Sequence, residues 1–255
     1  MDLGAIATLV AIGLVGGSLA GLVGVGGGVV MLPLLIYVGG VPIKLASGIS
    51  IVQVMFASLS GFWVHWKHRT IHPSVVAWVA GPGAVGAVAG SLVAAHVAEA
   101  VLHVVFLLFL VVALPMLILS DEVTLQEGET APSPRPVIAV ALGAAIGSFA
   151  GLLGAGGGFL LVPLLISVLG LPTRMAVATS LGVLAVVSVV AAGGKVVTGQ
   201  VDAVATALVV AGAMVGAQLG GRLSYKFSPR HLRVILAVVI AATAIRTLLQ
   251  LGGLR

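Results

Sequence analysis

Long apolar stretches separated by short polar ones run along the whole chain. Those of the first half predict helices at Leu3–Leu22, 29–38, 45–64, 74–93 and 100–119. Those of the second half predict helices at 137–153, 159–169, 175–192, 203–221 and 232–250. They do not alternate strictly between polar and apolar residues, as the strands of a membrane β-barrel do. Because about 20 apolar residues span a bilayer, the longer stretches predict membrane-spanning helices.

Composition agrees with a membrane location. The chain has 255 residues, of which 60% are hydrophobic and 7% are charged, and its mean hydropathy is +1.28. Soluble domains carry about 25% charged residues, far more than this chain can place on a surface in water. We therefore predict an all-α integral membrane protein in contact with lipid. Asp2 stands where a signal peptide has basic residues, so no cleaved signal peptide is predicted.

Cysteine content and charge narrow the class further. The chain has no cysteine, which excludes disulfides and thiolate metal sites. Its net charge of +5 is spread over loops, where Lys and Arg of a membrane protein indicate orientation. No segment combines basic and aromatic residues in the pattern of a nucleic-acid-binding protein, so no nucleic-acid partner is predicted.

One glycine-rich sequence occurs twice. GLVGVGGGVVMLPLLI begins at Gly21, and GLLGAGGGFLLVPLLI begins at Gly151, 130 residues later. At that offset about half of positions 21–50 have an identical counterpart, which predicts a tandem duplication. We expect a first membrane repeat at 1–119, a polar linker loop at 120–136 and a second membrane repeat at 137–255.

The short apolar stretches at 29–38 and 159–169 decide the predicted topology. If each belongs to a broken crossing, a repeat has four crossings and both repeats have the same orientation. If each counts as a crossing, a repeat has five helical segments and the two repeats are inverted. Only the inverted arrangement collects most Lys and Arg on one face, which is the bias of cytoplasmic loops. It predicts that the linker and the Arg-rich loop at 222–233 are cytoplasmic.

Two roles compete for the duplicated glycines. Glycine lets membrane helices pack closely, and we assign this role to the glycines within 81–90. Three consecutive glycines also favour a break, and the helix that starts there presents free N–H groups and a partial positive charge to an anion. Paired broken helices near the midplane are typical of transporter binding sites. This second interpretation predicts one substrate site built from Gly26, Gly27, Gly28, Gly156, Gly157 and Gly158.

Polar side chains within the predicted spans extend this site. Ser50 and Ser180 occupy matching positions of the two repeats, and Gln53 and Thr179 lie close to them in sequence. All four can donate hydrogen bonds to the oxygens of an anion. For each hydroxyl the alternative stays open that it bonds to a carbonyl of its own helix. Gln53 costs more than a hydroxyl to bury without a partner.

Two further pairs of matching positions carry basic side chains. Lys44 matches Arg174. For this pair, charged side chains that reach the membrane interface are favoured over a role in attracting anions. His65 matches Lys195 near the ends of matching spans. For this pair a role in anchoring loops is favoured over a role in ion coupling.

Residues that mark several other functions are missing from the sequence. Asp and Glu are absent from the middle of every predicted span, whereas ion pumps usually carry buried carboxylates there. Any ion coupling would therefore use backbone, hydroxyls or histidine. No nucleotide-binding loop, H-E-x-x-H motif or G-x-S-x-G motif occurs. We predict no enzyme, no catalytic residue, no cofactor and no metal site.

The duplicated pattern is specific enough to suggest a family. It consists of G-L-x-G-x-G-G-G-x-x-x-x-P-L-L, then G-x-P, then A-x-x-x-S, and it resembles the sulfite exporter TauE/SafE family. The resemblance implies a bacterial inner-membrane carrier of sulfite, of sulfonates such as taurine or sulfoacetate, or of related small organic anions. It carries over the paired glycine motif, Ser50 and Ser180. The family is usually described as eight-spanning, with a duplication of four plus four, whereas ten segments are predicted here.

The predicted function is secondary transport of a small sulfur-containing anion, by movement of one repeat against the other. The anion is expected near the midplane between the repeats, held by glycine-rich helix N-termini and hydroxyls. Two alternatives stay open: a carrier or channel for another small organic anion, and a membrane assembly protein without transport. The sequence leaves a coupling ion and the oligomeric state open.

Overall fold

The computed structural model describes residues 2–23, 27–119, 136–224 and 229–251. These residues form ten α-helices and no strand. The first five are α1 (Leu3–Val23), α2 (Gly28–Tyr37), α3 (Ile43–Lys67), α4 (Pro73–His96) and α5 (Glu99–Leu119). The second five are α6 (Pro136–Leu153), α7 (Gly158–Ser167), α8 (Thr173–Val197), α9 (Ala203–Ser224) and α10 (Pro229–Leu251). The all-α prediction is confirmed, and the predicted linker lies outside the described residues except for Pro136, which begins α6.

Local sequence explains where two of the helices begin. Pro73 starts α4, where its missing N–H group removes no helical bond. The His72 side chain caps the same helix, because its Nδ1 accepts a hydrogen bond from the Val75 amide at 3.4 Å. Asp202 caps α9 in the same way, accepting from the Ala205 amide at 2.8 Å.

The predicted end of the eighth helix was wrong by five residues. The sequence predicted an end at 192, before Gly193 and Gly194, whereas α8 continues to Val197. Glycine weakens a helix mainly where water competes for the backbone, and within a bilayer the helical hydrogen bonds are retained. The extra turn brings Lys195 into the bundle.

Seven of the described helices are long and apolar enough to cross a membrane: α1, α3, α4, α5, α6, α8 and α9. Many of their outward side chains are apolar, with Val85 72% exposed and Leu108 59% exposed. Such an apolar surface suits hydrocarbon, and helices satisfy their backbone hydrogen bonds without water. The protein is a multi-pass membrane protein.

The short helices α2 and α7 lie inside the bundle. Each has ten residues, and at 1.5 Å per residue that is about 15 Å, half of the hydrocarbon thickness. Leu32 and Leu35 of α2, like Leu161 and Leu165 of α7, are fully buried. The two helices are therefore covered by protein on the faces that carry these residues.

Helix bounds repeat at the offset of 130 residues, and the equivalent helices α3 and α8 contact each other. The bounds of α7 and α8 are those of α2 and α3 moved by that offset. Helices α3 and α8 cross antiparallel, since Ser58 contacts Ser188 while Gly61 contacts Leu181. Equivalent helices that run in opposite directions support an inverted duplication, which stays a prediction.

Helices of the two halves are interleaved. Helix α1 packs in parallel against α9, and α4 packs in parallel against α6, with glycine at close backbone approaches in both pairs. In the first pair the facing positions are Gly13 with Val209, Gly17 with Ala213 and Gly21 with Ala217. In the second pair they are Gly143 with Val79, Gly147 with Gly83 and Gly151 with Ala87. A Cβ atom on any of these glycines would overlap backbone of the partner helix.

Of the four glycines within 81–90, three have the predicted packing role. A Cβ atom on Gly86 or Gly90 would overlap backbone of α6, and one on Gly83 would lie 2.8 Å from Val187 Cγ2. Gly81 is the exception, because nothing lies within 4 Å of a Cβ atom placed there. It is on the exposed side of α4.

Candidate functional site

The first glycine break separates α1 from α2. Gly27 caps α2 with φ of 76°, a left-handed conformation that favours glycine. The amides of Val30 and Met31 donate to the Gly27 carbonyl at 3.1 and 2.9 Å. The amides of Gly28 and Val29 precede these bonds, so they have no acceptor within the helix. The predicted site residue Gly26 lies outside the described residues.

The second glycine break separates α6 from α7 and has the same geometry at its end. Gly157 caps α7 with φ of 63°, and the amides of Leu160 and Leu161 donate to its carbonyl at 3.1 and 2.9 Å. Gly154 and Gly156 also have left-handed φ angles, of 68° and 73°. Gly158 is therefore the first residue of a helix whose N-terminus points out of an unwound segment.

The two breaks are in contact. A Cβ atom on Gly28 would overlap the carbonyl group of Ala155, which lies within the second break. The residues on both sides of this contact, Gly27, Gly28 and 154–158, are buried. The structure thus places the N-termini of α2 and α7 together inside the bundle, beside Ser50 and Gln53 of α3.

Gln53 is a polar side chain beside the first break. It is 3% exposed, and its Nε2 atom would lie 3.3 Å from a Cβ atom on Gly27. Its Oε1 atom is buried without a hydrogen-bond partner among the described residues. An unsatisfied buried polar group costs about 1–3 kcal/mol. Rotation of the amide by 180° exchanges its acceptor for its N–H donors, so Gln53 can serve a ligand with either.

The predicted hydroxyls differ in what they contact. Ser50 Oγ lies 3.5 Å from the Gly28 carbonyl oxygen, at the limit of a hydrogen bond. Ser180 donates to the Val177 carbonyl of its own helix at 2.8 Å, which is the alternative left open for it. Thr179 Oγ1 accepts a hydrogen bond from the backbone N–H of His72 at 3.0 Å, and this bond holds the loop before α4. Of the three hydroxyls, Ser50 is the one shown in contact with a glycine break.

A cavity of about 270 Å³ reaches Gln53 from one side. Helices α1, α3, α8 and α9 line it, and its polar side chains are Gln53, Ser60 and Gln218. It extends along α3 from Gln53 to Gly61, towards the end that carries Lys67. Sequence reasoning missed Ser60 and Gln218, although a glutamine within an apolar span is the kind of residue that marks function.

The opposite side of the breaks is closed. Helix α3 meets the second break at Ser47, whose carbonyl would overlap a Cβ atom on Gly154. Ser47 accepts a hydrogen bond from Lys195, which is fully buried. The sequence favoured loop anchoring for Lys195, and its bond to Gln200 in the loop after α8 agrees with that role. Its contacts with α3 and α6 were not predicted.

The family model described as "Sulfite exporter TauE/SafE" matches residues 9–247. The chain belongs to the sulfite exporter TauE/SafE family. The match covers both glycine breaks, the cavity and Lys195.

Relatives of this TauE/SafE protein are named as transporters. It is 26% identical to the probable membrane transporter protein YunE of Bacillus subtilis, over 91% of this chain and 93% of that protein. It is 29% identical to the probable membrane transporter protein YdhB of the same organism, over 78% and 82%. It is 27% identical to the probable membrane transporter protein MJ0441 of Methanocaldococcus jannaschii, over 94% of both. No solved structure matches the chain.

These comparisons decide the functional class. The chain is a TauE/SafE-family membrane transporter, and its family and relatives are described as transporters rather than enzymes. The resemblance seen in the glycine motif is confirmed over nearly the whole chain.

Proposed function

We propose that this transporter moves a small sulfur-containing anion, such as sulfite or a sulfonate, across the cytoplasmic membrane. The anion binds where the two glycine breaks meet, at the N-termini of α2 and α7. One observation carries the proposal: the side-chain amide of Gln53, which lines the cavity beside Gly27 and is 3% exposed, has an atom without a hydrogen-bond partner. Rotation of this amide by 180° presents its N–H groups to an anion.

The chemistry of the junction suits an anion. Each helix N-terminus carries about half a positive charge, and two of them meet here. The amides of Gly28 and Val29 precede the first hydrogen bond of α2, and those of Gly158 and Phe159 hold the same place in α7. Oxyanions present several acceptor oxygens at once and so suit clustered N–H donors. The apolar side chains of Val29 and Phe159 border the junction, where the organic part of a sulfonate fits.

The cavity supplies one route to this site, from the face that carries Lys67, Arg69 and Arg222. Helix α9 follows α8 by a short loop and therefore runs parallel to α3, which brings Arg222 to the same end as Lys67. An excess of basic residues marks cytoplasmic loops. The described conformation is therefore proposed to be open towards the cytoplasm.

Thermal stability of the detergent-purified protein tests the proposal. The anions are sulfite, methanesulfonate, taurine, sulfoacetate, thiosulfate, sulfate, acetate, lactate and chloride. A ligand at about 100 times its Kd stabilises by about 2.7 kcal/mol and raises Tm by a few degrees. We expect a sulfur-containing anion to give this shift. A shift with acetate or lactate alone would favour another organic anion, and no shift with any anion would contradict the proposal.

Gln53→Val places the site within this experiment, because valine is the residue at the matching position 183. We expect the variant to bind the anion at least about tenfold more weakly, since it loses a hydrogen-bond donor to a charged ligand. Its Tm without ligand should be unchanged or higher, because an unsatisfied buried amide is removed. Ser60→Ala, further out in the cavity, is the control and should bind normally. Normal binding by Gln53→Val would place the anion elsewhere.

A further inference from the structure

Lys195 is a buried charge that the proposed site does not yet use. It is 0% exposed, and it is the only buried Lys or Arg among the residues whose side chains the structure describes. Its Nζ atom donates to Ser47 Oγ at 2.8 Å, to the Leu152 carbonyl at 3.2 Å and to Gln200 Oε1 at 2.7 Å. These three bonds use all of its N–H groups.

All three acceptors are neutral. The acidic residues of the described ranges are Asp2, Glu99 and Asp202, which are exposed at the starts of helices, so none of them neutralises Lys195. Neutral oxygens satisfy hydrogen bonds but leave the charge uncompensated in a medium of low dielectric constant. Charged side chains within membrane spans are rare and usually belong to a substrate or ion pathway.

The ammonium group of Lys195 lies beside the second glycine break. Its acceptor Leu152 is in the last turn of α6, two residues before Gly154. A second acceptor, Ser47, is the residue whose carbonyl packs against Gly154. Lys195 therefore lies on the closed side of the break, opposite the cavity that ends at Gln53.

His65 occupies the position that matches Lys195, and the two differ in burial. His65 Nδ1 lies 3.0 Å from Thr70 Oγ1, as Lys195 Nζ lies 2.7 Å from Gln200 Oε1, five residues further along in both cases. Only the second of these positions is fully buried. The fully buried basic side chain of this pair is thus the one beside the second break.

A single buried positive charge distinguishes anions by valence. A monovalent anion neutralises Lys195 in a one-to-one ion pair, whereas a divalent anion leaves one negative charge on that pair. Desolvating the second charge is unfavourable in the same low-dielectric surroundings. Monovalent anions are therefore favoured over divalent anions of similar size.

We propose that the Lys195 ammonium binds the transported anion beside the second break and selects monovalent over divalent anions. An arriving anion replaces the Ser47 and Leu152 oxygens at Nζ, while the bond to Gln200 holds the side chain in place. This inference rests on the proposed function, because it assigns the charge that the anion meets in the same junction.

Methanesulfonate and sulfate are the probes, because both carry tetrahedral sulfur and they differ in charge. Binding is measured by thermal shift with wild-type protein, Lys195→Gln and Lys195→Arg. The wild type should bind methanesulfonate at least about tenfold more tightly than sulfate, because only methanesulfonate matches the single charge of Lys195. Lys195→Gln should bind methanesulfonate about tenfold more weakly than the wild type does, and Lys195→Arg should recover most of the lost affinity. Lys67→Gln, an exposed lysine over the Trp63 ring, is the matched control and should bind as wild type does.

Three outcomes would overturn the inference. One is a folded Lys195→Gln protein with wild-type affinity for methanesulfonate. Another is a wild type that binds sulfate as tightly as methanesulfonate, a result that decides even if Lys195→Gln fails to fold. The third is a wild type that binds neither methanesulfonate nor sulfate. The proposed function is tested separately, with the full set of anions. Loss of binding in Gln53→Val with normal binding in Lys195→Gln would overturn this inference alone.

Discussion

The two sides of the glycine junction are built from matching positions of the sequence and differ in structure. On one side Gln53, Ala57 and Gly61 of α3 line a cavity of about 270 Å³. The positions 130 residues later on α8 are Val183, Val187 and Ala191, and each is 0% exposed. The matching residues Gly27 and Gly157 cap α2 and α7 in the same way. The side chains that do not match line a cavity on one side and are fully buried on the other.

The closed side is held by both packing and polar contacts. Ser91 of α4 donates to the Ala191 carbonyl at 3.3 Å, and Gln200 Nε2 donates to the Ser91 carbonyl at 3.1 Å. With Lys195 these residues connect α3, α4, α6 and α8. The open side presents Gln53, Ser60 and Gln218 to the cavity instead. The comparison shows that a duplicated backbone motif carries different side chains for its two faces.

The largest expected effect comes from filling the second break. In Gly154→Ala the new methyl group would overlap the backbone of Ser47, and φ of 68° is unfavourable for alanine. We expect a loss of more than about 3 kcal/mol in the free energy of unfolding, from strain and overlap together. Thermal unfolding in detergent measures it.

Gly193→Ala is the control for that substitution. This helical glycine of α8 has nothing within 4 Å of a Cβ atom, so alanine there should leave Tm unchanged or raise it slightly. A Gly154→Ala protein as stable as Gly193→Ala would show that the second break does not need its observed conformation.

Single cysteines at matched positions test the open and closed sides directly. The chain has no cysteine of its own, so Ala57→Cys and Val187→Cys each carry one thiol. A water-soluble methanethiosulfonate reagent should label Ala57→Cys at least about tenfold faster, because Val187 is reached only when the closed side opens. Rates are read by mass spectrometry.

Two results would change that comparison. Equal labelling of both thiols would show that the two sides open to similar extents in solution. Faster labelling of Val187→Cys when methanesulfonate is added would indicate that the anion opens the closed side, which sharpens the comparison into two exchanging conformations.

The smallest expected effect lies where the two sides meet. Ser58 and Ser188 occupy matching positions, are fully buried and contact each other at 3.2 Å between their Oγ atoms. A double-mutant cycle with Ser58→Ala and Ser188→Ala should give a coupling of about 0.6 kcal/mol, the usual size within membranes. The two single substitutions should also have similar effects on Tm. A coupling of zero would mean that each hydroxyl is satisfied by its own helix alone.

The sequence predicted most of the fold because its signals are local. Apolar length predicted the spans, and the duplicated glycines located the breaks at Gly27 and Gly157. Glycine at matched positions also indicated that the same backbone occurs twice. These features depend on residues that are near one another in sequence.

The parts that the sequence did not predict depend on contacts between distant helices. The burial of Lys195 requires α3 and α6 to meet the end of α8, and no local pattern reports such a meeting. The cavity depends on which of two similar surfaces is packed, so Ser60 and Gln218 were missed. For Thr179 and Ser180 the hydroxyl alone did not tell a ligand contact from a bond to the loop or to the same helix.

The interleaved packing of α1 with α9 and of α4 with α6 has a mechanical consequence. Each pair joins one helix from each half through backbone contact at glycines, where a small displacement already produces overlap. Swinging one half of the sequence away from the other would separate both pairs at once. We therefore expect the mixed pairs to stay together if the protein opens and closes. The boundary between the two halves of the sequence would then not be the boundary between the parts that move.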